Sequence, residues 1–274
     1  LLGYAAASGF FAAFFGGEDK PVLQADVTYS FYEVFGSLYG ASFRKVPLLP
    51  DFRLDIKGMA ALCGESCGCV FANPNAPTSI AEEREDLLEL VRAFEGKAVI
   101  ADEAYADFSH VASLAGDIRS YPNLLVVKTF SKSRSLAGAR CGYAVGDKAL
   151  IDVLRTVKNC FNSYPVNAVT AAVAEAALRD TAYFRDCVSR ILRTRETLTS
   201  ALRALRFDVP DSDANFVFAE HPDVGGEELQ RALRARGIVV RRFDRPRIAD
   251  RLRITVGTDE DIEALTGALK SILG

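Results

Sequence analysis

Tryptophan is absent from the 274 residues, methionine occurs once, at Met59, and histidine twice, at His110 and His221. So few imidazoles argue against a multi-histidine metal centre. An excess of positive charge is also lacking. Lysine and arginine total 33 against 36 acidic residues, a net charge of −3. No global basic field therefore draws the chain to nucleic acid or to an anionic membrane, and a small-molecule function is the better expectation. Long apolar runs are missing too. The opening LLGYAAASGFFAAFFGG falls short of the roughly 20 residues that span a bilayer, and it lacks the basic flank of a secretion signal. It reads as the end of a buried helix. A chain that begins at Leu1 and has no earlier methionine reads as N-terminally truncated and cytoplasmic.

The six cysteines stand at irregular positions, unlike a secreted disulfide framework. Cys63, Cys67 and Cys69 (CGESCGC) have a C-x3-C-x-C spacing that fits no common zinc site, so a glycine-rich turn feeding a strand is the expectation and no metal is assigned. The dinucleotide fingerprint G-x-G-x-x-G, the phosphate loop G-x-x-x-x-G-K-[ST] and the hydrolase elbow G-x-S-x-G are all absent. AVIADE, an apolar strand ending in two carboxylates, is the best nucleotide-like hint, and no other ATPase element accompanies it.

What is present is a globular composition, 49% hydrophobic and 25% charged, enough for a full core. Short apolar runs alternate with helical patterns, which predicts an α/β fold with a largely parallel sheet. PVLQ, CGCVFA, KAVIAD and LLVVKTF read as strands. TYSFYEVFGSLYG reads as a helix ended by Gly40. Ser79 and Glu82 have the spacing of a capping box for a helix that buries Leu87, Leu90, Val91 and Phe94 at 3.6-residue period. From about Asp180 the texture changes. Residues 183–206 read as one long amphipathic helix with Cys187, Ile191, Leu198, Leu202 and Leu205 on its apolar face. NFVFAE, GEELQRALRARG, IVVRRF, RLRITVG and DEDIEALTGALKSIL follow as strand, helix, strand, strand and helix. The expected division is a large domain over 1–180 and a smaller α+β domain over 181–274.

The unusual polar residues fall just after the strands, where open α/β sheets bind their ligands. Lysine is scarce, nine against 24 arginines, yet Lys132 lies in the loop KTFSKSRSLAGARCGY. An amine attacks a carbonyl only when deprotonated, through desolvation or neighbouring positive charge. Thr129, Ser131 and Arg140 offer hydroxyls and a planar guanidinium suited to phosphate. Asp102 can pair with a protonated pyridine nitrogen, Tyr105 reaches a ring hydroxyl, and Tyr29 offers a face for stacking. Ser133, Arg134 and Ser135 read as loop-shaping, and Gly138 as a point of close backbone approach. The competing reading of each residue is ordinary: a solvated lysine, an aspartate cap, a core tyrosine.

NPNAPTS, ADEAYADF, KTFSKSRSLAGARCGY and RLRITVG, in that order, resemble the fold-type I pyridoxal-phosphate aminotransferases, and within them the histidinol-phosphate aminotransferases. The resemblance implies a large pyridoxal-phosphate domain and a small C-terminal one, a homodimer, and transfer of an amino group from histidinol phosphate to 2-oxoglutarate in histidine biosynthesis. It implies that Lys132 bonds the cofactor aldehyde, Asp102 holds the pyridine nitrogen, Tyr105 the ring hydroxyl, and Tyr29 stacks. Ser131, Arg140 and Thr129 would take the cofactor phosphate. Arg253 would grip the carboxylate of glutamate or 2-oxoglutarate, and Arg241 the substrate phosphate, unless it is a surface strand arginine. The family has asparagine directly before P-T-G. Here Ala76 holds that position, so Asn75 either takes over the role or shapes the turn. Ser79 replaces a glycine. The family's glycine-serine-aspartate turn should lie near Leu2 to Ala5, where LGYA does not match it. An aromatic aminotransferase, a phospho-amino-acid decarboxylase, or a truncated and catalytically silent remnant stand as alternatives.

Overall fold

The computed structural model describes residues 2–3, 6–17 and 19–274. Along the chain run β1 (Leu2–Gly3), α1 (Ala6–Phe14), β2 (Val22–Ala25), α2 (Phe31–Tyr39), β3 (Phe43–Val46), α3 (Ile56–Ala61), β4 (Gly68–Ala72), α4 (Arg84–Ala93), β5 (Ala98–Asp102), β6 (Leu124–Thr129) and β7 (Cys141–Gly146). Next come α5 (Lys148–Phe161), α6 (Ala168–Arg179), α7 (Thr181–Ala204), β8 (Phe216–Glu220), α8 (Gly226–Arg234), β9 (Arg241–Arg242), β10 (Arg251–Thr255) and α9 (Asp259–Leu273). The first seven strands form one sheet in the order β1-β7-β6-β5-β4-β2-β3. β3, β2, β4, β5 and β6 are parallel, while β7 and β1 join antiparallel. The expected α/β class with a mostly parallel sheet is what the chain adopts.

Alternation along the strands explains why both faces are covered. Cys69, Phe71, Val99, Ala101, Leu124 and Val126 face a core built with Met59, Leu87, Leu90, Val91 and Phe94 of α3, α4 and the turn after α4. Their neighbours Val70, Ile100 and Leu125 face the opposite core, with Phe10, Phe11, Phe15, Tyr32, Phe35 and Leu154 from α1, α2, α5 and the turn after α1. The opening apolar run is thus a buried helix end over its described part, although Tyr4 and Ala5 of the LGYA segment lie outside the described residues. Burying a side chain such as Phe94, which is fully enclosed, contributes about 2 kcal/mol. Gly40 ends α2 in the left-handed region, at φ 73°, with its N–H on the Gly36 carbonyl.

A second, antiparallel sheet has the order β8-β10-β9. It packs with α7, α8 and α9 around Leu198, Leu202, Val217, Leu229, Leu252 and Leu265. On the long helix, Leu198 and Leu202 are buried, whereas Cys187, Ile191 and Leu205 are half-buried. The expected strand IVVRRF contracts to Arg241–Arg242, because Val239 is exposed and outside the sheet.

The capping box is a correction. Helix α4 starts at Arg84 with no side-chain cap. Glu82 is buried, and its carboxylate accepts the Leu54 N–H at 2.7 Å. Ser79 takes φ 67°, the left-handed region that glycine favours; its N–H reaches the Asn75 carbonyl at 2.8 Å. Gly138 is also corrected, since a Cβ there would meet open space. Gly142 is the close approach: a Cβ would stand 2.8 Å from the Lys128 carbonyl of the neighbouring strand.

Candidate active site

Parallel pairing of β4, β5 and β6 brings their C-terminal ends side by side. A cleft of about 280 Å³ opens there, lined by Tyr29, Asp102, Tyr105, Thr129, Ser131, Lys132 and Arg140, residues up to 111 positions apart in the chain (140 − 29). Asp102 ends β5 and accepts two hydrogen bonds, from the Tyr32 hydroxyl to Oδ2 at 2.7 Å and from the Ala104 N–H to Oδ1 at 3.1 Å. Burial pushes its carboxyl above the ordinary carboxylate range, opposed by the Tyr32 and Ala104 bonds and by the charge of Lys132. Burial beside Asp102 likewise drives the Tyr32 phenol well up.

Two lysines border this cleft, and their surroundings differ. Lys128 Nζ lies 3.4 Å from Glu103 Oε2 and 3.3 Å from Asp107 Oδ1. Burial opposes its charge, yet the two carboxylates win and hold it above the ordinary lysine value. It stays an ammonium. Lys132 makes no ion pair with a carboxylate among the described residues; its Nζ stands 5.2 Å from the centre of the Tyr105 ring. It is the lysine suited to attack a carbonyl.

At one end of the cleft the Thr129 hydroxyl donates to Ser131 Oγ at 2.9 Å and accepts the Ser131 N–H at 3.0 Å. Arg140, at φ 51°, reaches the Ala137 carbonyl with one guanidinium nitrogen at 2.8 Å. Hydroxyls, a backbone turn and a guanidinium make a donor set for an oxyanion. Tyr29 is 44% exposed, edge-on to Tyr32 at 5.4 Å.

Asn75 does not line the cleft; Ala76 does. The Asn75 amide is fully engaged, accepting from Thr28 Oγ1 at 2.8 Å and donating to the Val27 carbonyl at 2.9 Å and to Thr78 Oγ1 at 3.0 Å. Those bonds tie it to the strand-end segment before Tyr29, the turn-shaping one of its two expected roles. Arg241 and Arg253 lie on the second sheet, directly opposite each other in the β9–β10 register. Two rings link Arg253 to the cleft. Its guanidinium is 5.1 Å from the Phe216 ring, which meets Tyr105 edge-on at 5.0 Å. Arg253 Nε is buried without a partner.

The family model described as aminotransferase class I and II matches residues 1–269. The chain belongs to the class I and II aminotransferases. A histidinol-phosphate aminotransferase of Bordetella parapertussis is 48% identical over 253 residues, 92% of this chain and 71% of that protein. Among solved structures, a putative histidinol-phosphate aminotransferase from Erwinia carotovora atroseptica superposes with TM-score 0.90 at 25% identity, covering 99% of this chain and 80% of that one. A histidinol-phosphate aminotransferase from Sinorhizobium meliloti, solved with pyridoxal-5'-phosphate, superposes at 0.87 with 22% identity over 97% and 74% of the two chains, a likeness of fold. Pyridoxal phosphate is the cofactor of this aminotransferase, and the donor set fits it. An unpaired amine, a carboxylate at the end of a strand and an oxyanion cradle border one cleft.

Sequence reasoning missed Lys128, which lines the cleft, and Tyr32, which bonds Asp102 from α2. For Tyr32 a signal existed: it follows Tyr29 by three positions, one helical turn. No signal in the spacing marked Lys128, whose partners Glu103 and Asp107 arrive from the segment after β5.

Proposed function

We propose that this aminotransferase moves the amino group of histidinol phosphate to 2-oxoglutarate in histidine biosynthesis, giving imidazole acetol phosphate and glutamate. The observation that carries the reaction type is the Lys132 amine, which makes no ion pair within salt-bridge distance among the described residues and shares a cleft with Asp102. Identity of 48% to a relative of that name supports the substrate. Bound pyridoxal phosphate supplies an electron sink for the bond broken at the substrate α-carbon.

Lys132 would hold the cofactor through its amine and, when free, would serve as the base and acid for the α-proton of the substrate. Asp102 would keep the proton on the ring nitrogen. Tyr105 would hold the ring hydroxyl and Tyr29 would stack on the ring. Thr129, Ser131 and Arg140 would bind the cofactor phosphate. Arg253 takes the carboxylate of 2-oxoglutarate and Arg241 the substrate phosphate, two anions that offset the cost of opposing like charges across a strand pair.

The chain is read as two domains, 1–180 and 181–274, working as a homodimer. On α2 the side chains of Phe31, Val34 and Leu38 are exposed at helical spacing beside the cleft residue Tyr29, an apolar stripe that a second copy would cover. A doubly charged phosphorylated substrate does not cross membranes unaided, which favours a cytoplasmic location. Mixing purified protein with pyridoxal phosphate should give a visible band that Lys132→Ala lacks. Turnover of histidinol phosphate should far exceed that of phenylalanine; the reverse preference would sink the substrate assignment.

A further inference from the structure

The loop that carries Lys132 is anchored behind the cleft by its next residue. Ser133 is buried, and its hydroxyl donates to Asp107 Oδ2. Asp107 belongs to the one-turn helix Ala106–Phe108, which starts directly after Tyr105. Lys132 and Tyr105 face each other in the cleft, so their neighbours in sequence are tied together behind it. Asp107 is held in turn by Lys128, and Lys128 by Glu103. Glu103 is itself fixed, accepting the Leu114 N–H at 2.7 Å and the Ser113 hydroxyl. The row Glu103, Lys128, Asp107, Ser133 thus runs from β5 through β6 to the lysine loop.

Backbone bonds shape that loop without joining it to Tyr105. The Ser135 N–H meets the Lys132 carbonyl at 3.0 Å, and the Leu136 N–H meets the Phe130 carbonyl at 3.0 Å. Arg134 points the other way, to the Ala177 carbonyl and onto the Phe184 ring of α7 at 3.7 Å. A hydroxyl bonded to a carboxylate is stronger than a neutral pair, and buried Ser133 has a high cost if left unpaired.

We propose that Asp107 is a positioning residue for Lys132, setting the lysine loop against the Tyr105 segment through Ser133. The inference rests on Lys132 being the reactive amine of the proposed reaction. A proton-transferring group gains from being fixed near its two targets, and a loop free to shift loses that gain.

The test uses the full chain with Ser133→Ala, Asp107→Ala, the double variant, and Asp107→Glu as the conservative rescue. Amide hydrogen exchange of residues 130–136, measured without cofactor, should quicken about tenfold in either single variant, the factor for a lost hydrogen bond to a charged group. The double variant should add nothing, and Asp107→Glu should recover most of the protection. Borohydride-trapped attachment of pyridoxal phosphate at Lys132 should slow by a similar factor. kcat should fall with KM for histidinol phosphate unchanged. Variants that exchange and attach as the native chain does overturn the inference alone. So does faster exchange spread evenly over the whole chain, which marks general destabilisation. A native chain that traps no cofactor at Lys132 overturns the proposed reaction and this inference with it.

Discussion

Tyr32 donates its phenolic hydrogen to Asp102 at 2.7 Å across 70 residues of chain, joining helix α2 to the end of β5. The bond places a donor on a carboxylate that lines the cleft and leaves that carboxylate under two opposing influences. Burial raises the Asp102 pKa; the Tyr32 bond, the Ala104 N–H and the Lys132 charge lower it. Burial prevails, and each opposing contact limits how far the pKa rises.

Tyr32→Phe removes the largest of those opposing contacts and leaves the ring packed. The Asp102 pKa should then climb further. Since the ionised carboxylate is the form that holds a protonated ring nitrogen, the acid limb of the kcat/KM profile should move to higher pH. At the foot of that limb the loss should be about tenfold. An acid limb identical to that of the native enzyme would count against Asp102 as the group being tuned.

The two cleft lysines should separate cleanly on substitution. Lys132→Ala should abolish cofactor attachment and lower kcat by at least about a hundredfold. Lys128→Met should still attach cofactor, because its ammonium is held by Glu103 and Asp107 rather than offered to a carbonyl. That variant should instead lose about 3 kcal/mol of stability, since two largely buried carboxylates are left without their cation. Urea unfolding and a borohydride-trapping assay read both effects, and attachment lost in Lys128→Met would reverse the assignment.

The strands that build the site were legible because their signal is local. CGCVFA, KAVIAD and LLVVKTF are apolar runs that end in polar residues, and β4, β5 and β6 follow them to within a residue or two. Helix α9 occupies the expected 259–273, where Thr258 and Asp261 form a true capping box. Ser79 and Glu82 had the same local spacing and went elsewhere, since the sheet-end loop needed a left-handed residue and the Leu54 N–H needed a buried acceptor. Helix α6 gave little contrast in AVTAAVAEAALR, where alanine fills both faces. Asn75 was a candidate by adjacency to Ala76, but which of two neighbours faces a cleft depends on how the loop turns, and no composition encodes that. Tyr32 and Lys128 depend on partners brought by other strands, a tertiary fact.

Arg241 and Arg253 stand opposite each other on β9 and β10, and like charges so placed repel. A bound dianion should relieve that repulsion. Inorganic phosphate should therefore raise the melting temperature of the native chain in a concentration-dependent way, and less so for Arg241→Ala. Arg253→Lys keeps the charge but loses the planar fork, so KM for 2-oxoglutarate should rise about tenfold with a smaller change in kcat. A KM unchanged in Arg253→Lys would remove that residue from the carboxylate site.

His110 ties the segment after Tyr105 to the loop before β8, through Nδ1 at 2.8 Å from Asp213 Oδ1. The hydrogen bond and charge of Asp213 raise its pKa, with a smaller push from Glu83. A histidine whose folded pKa is raised stabilises the fold most below its unfolded value of about 6.5, and that gain fades as pH rises through the folded value. The ring is 70% exposed, so solvent screening should hold the effect to about 0.5 kcal/mol. Proton NMR titration of His110 should report a midpoint above 6.5. Asp213→Asn should bring it down and flatten the stability change between pH 6 and 8. A His110 midpoint that stays put in Asp213→Asn would mean the ring is charged by something other than the contact that joins these two segments.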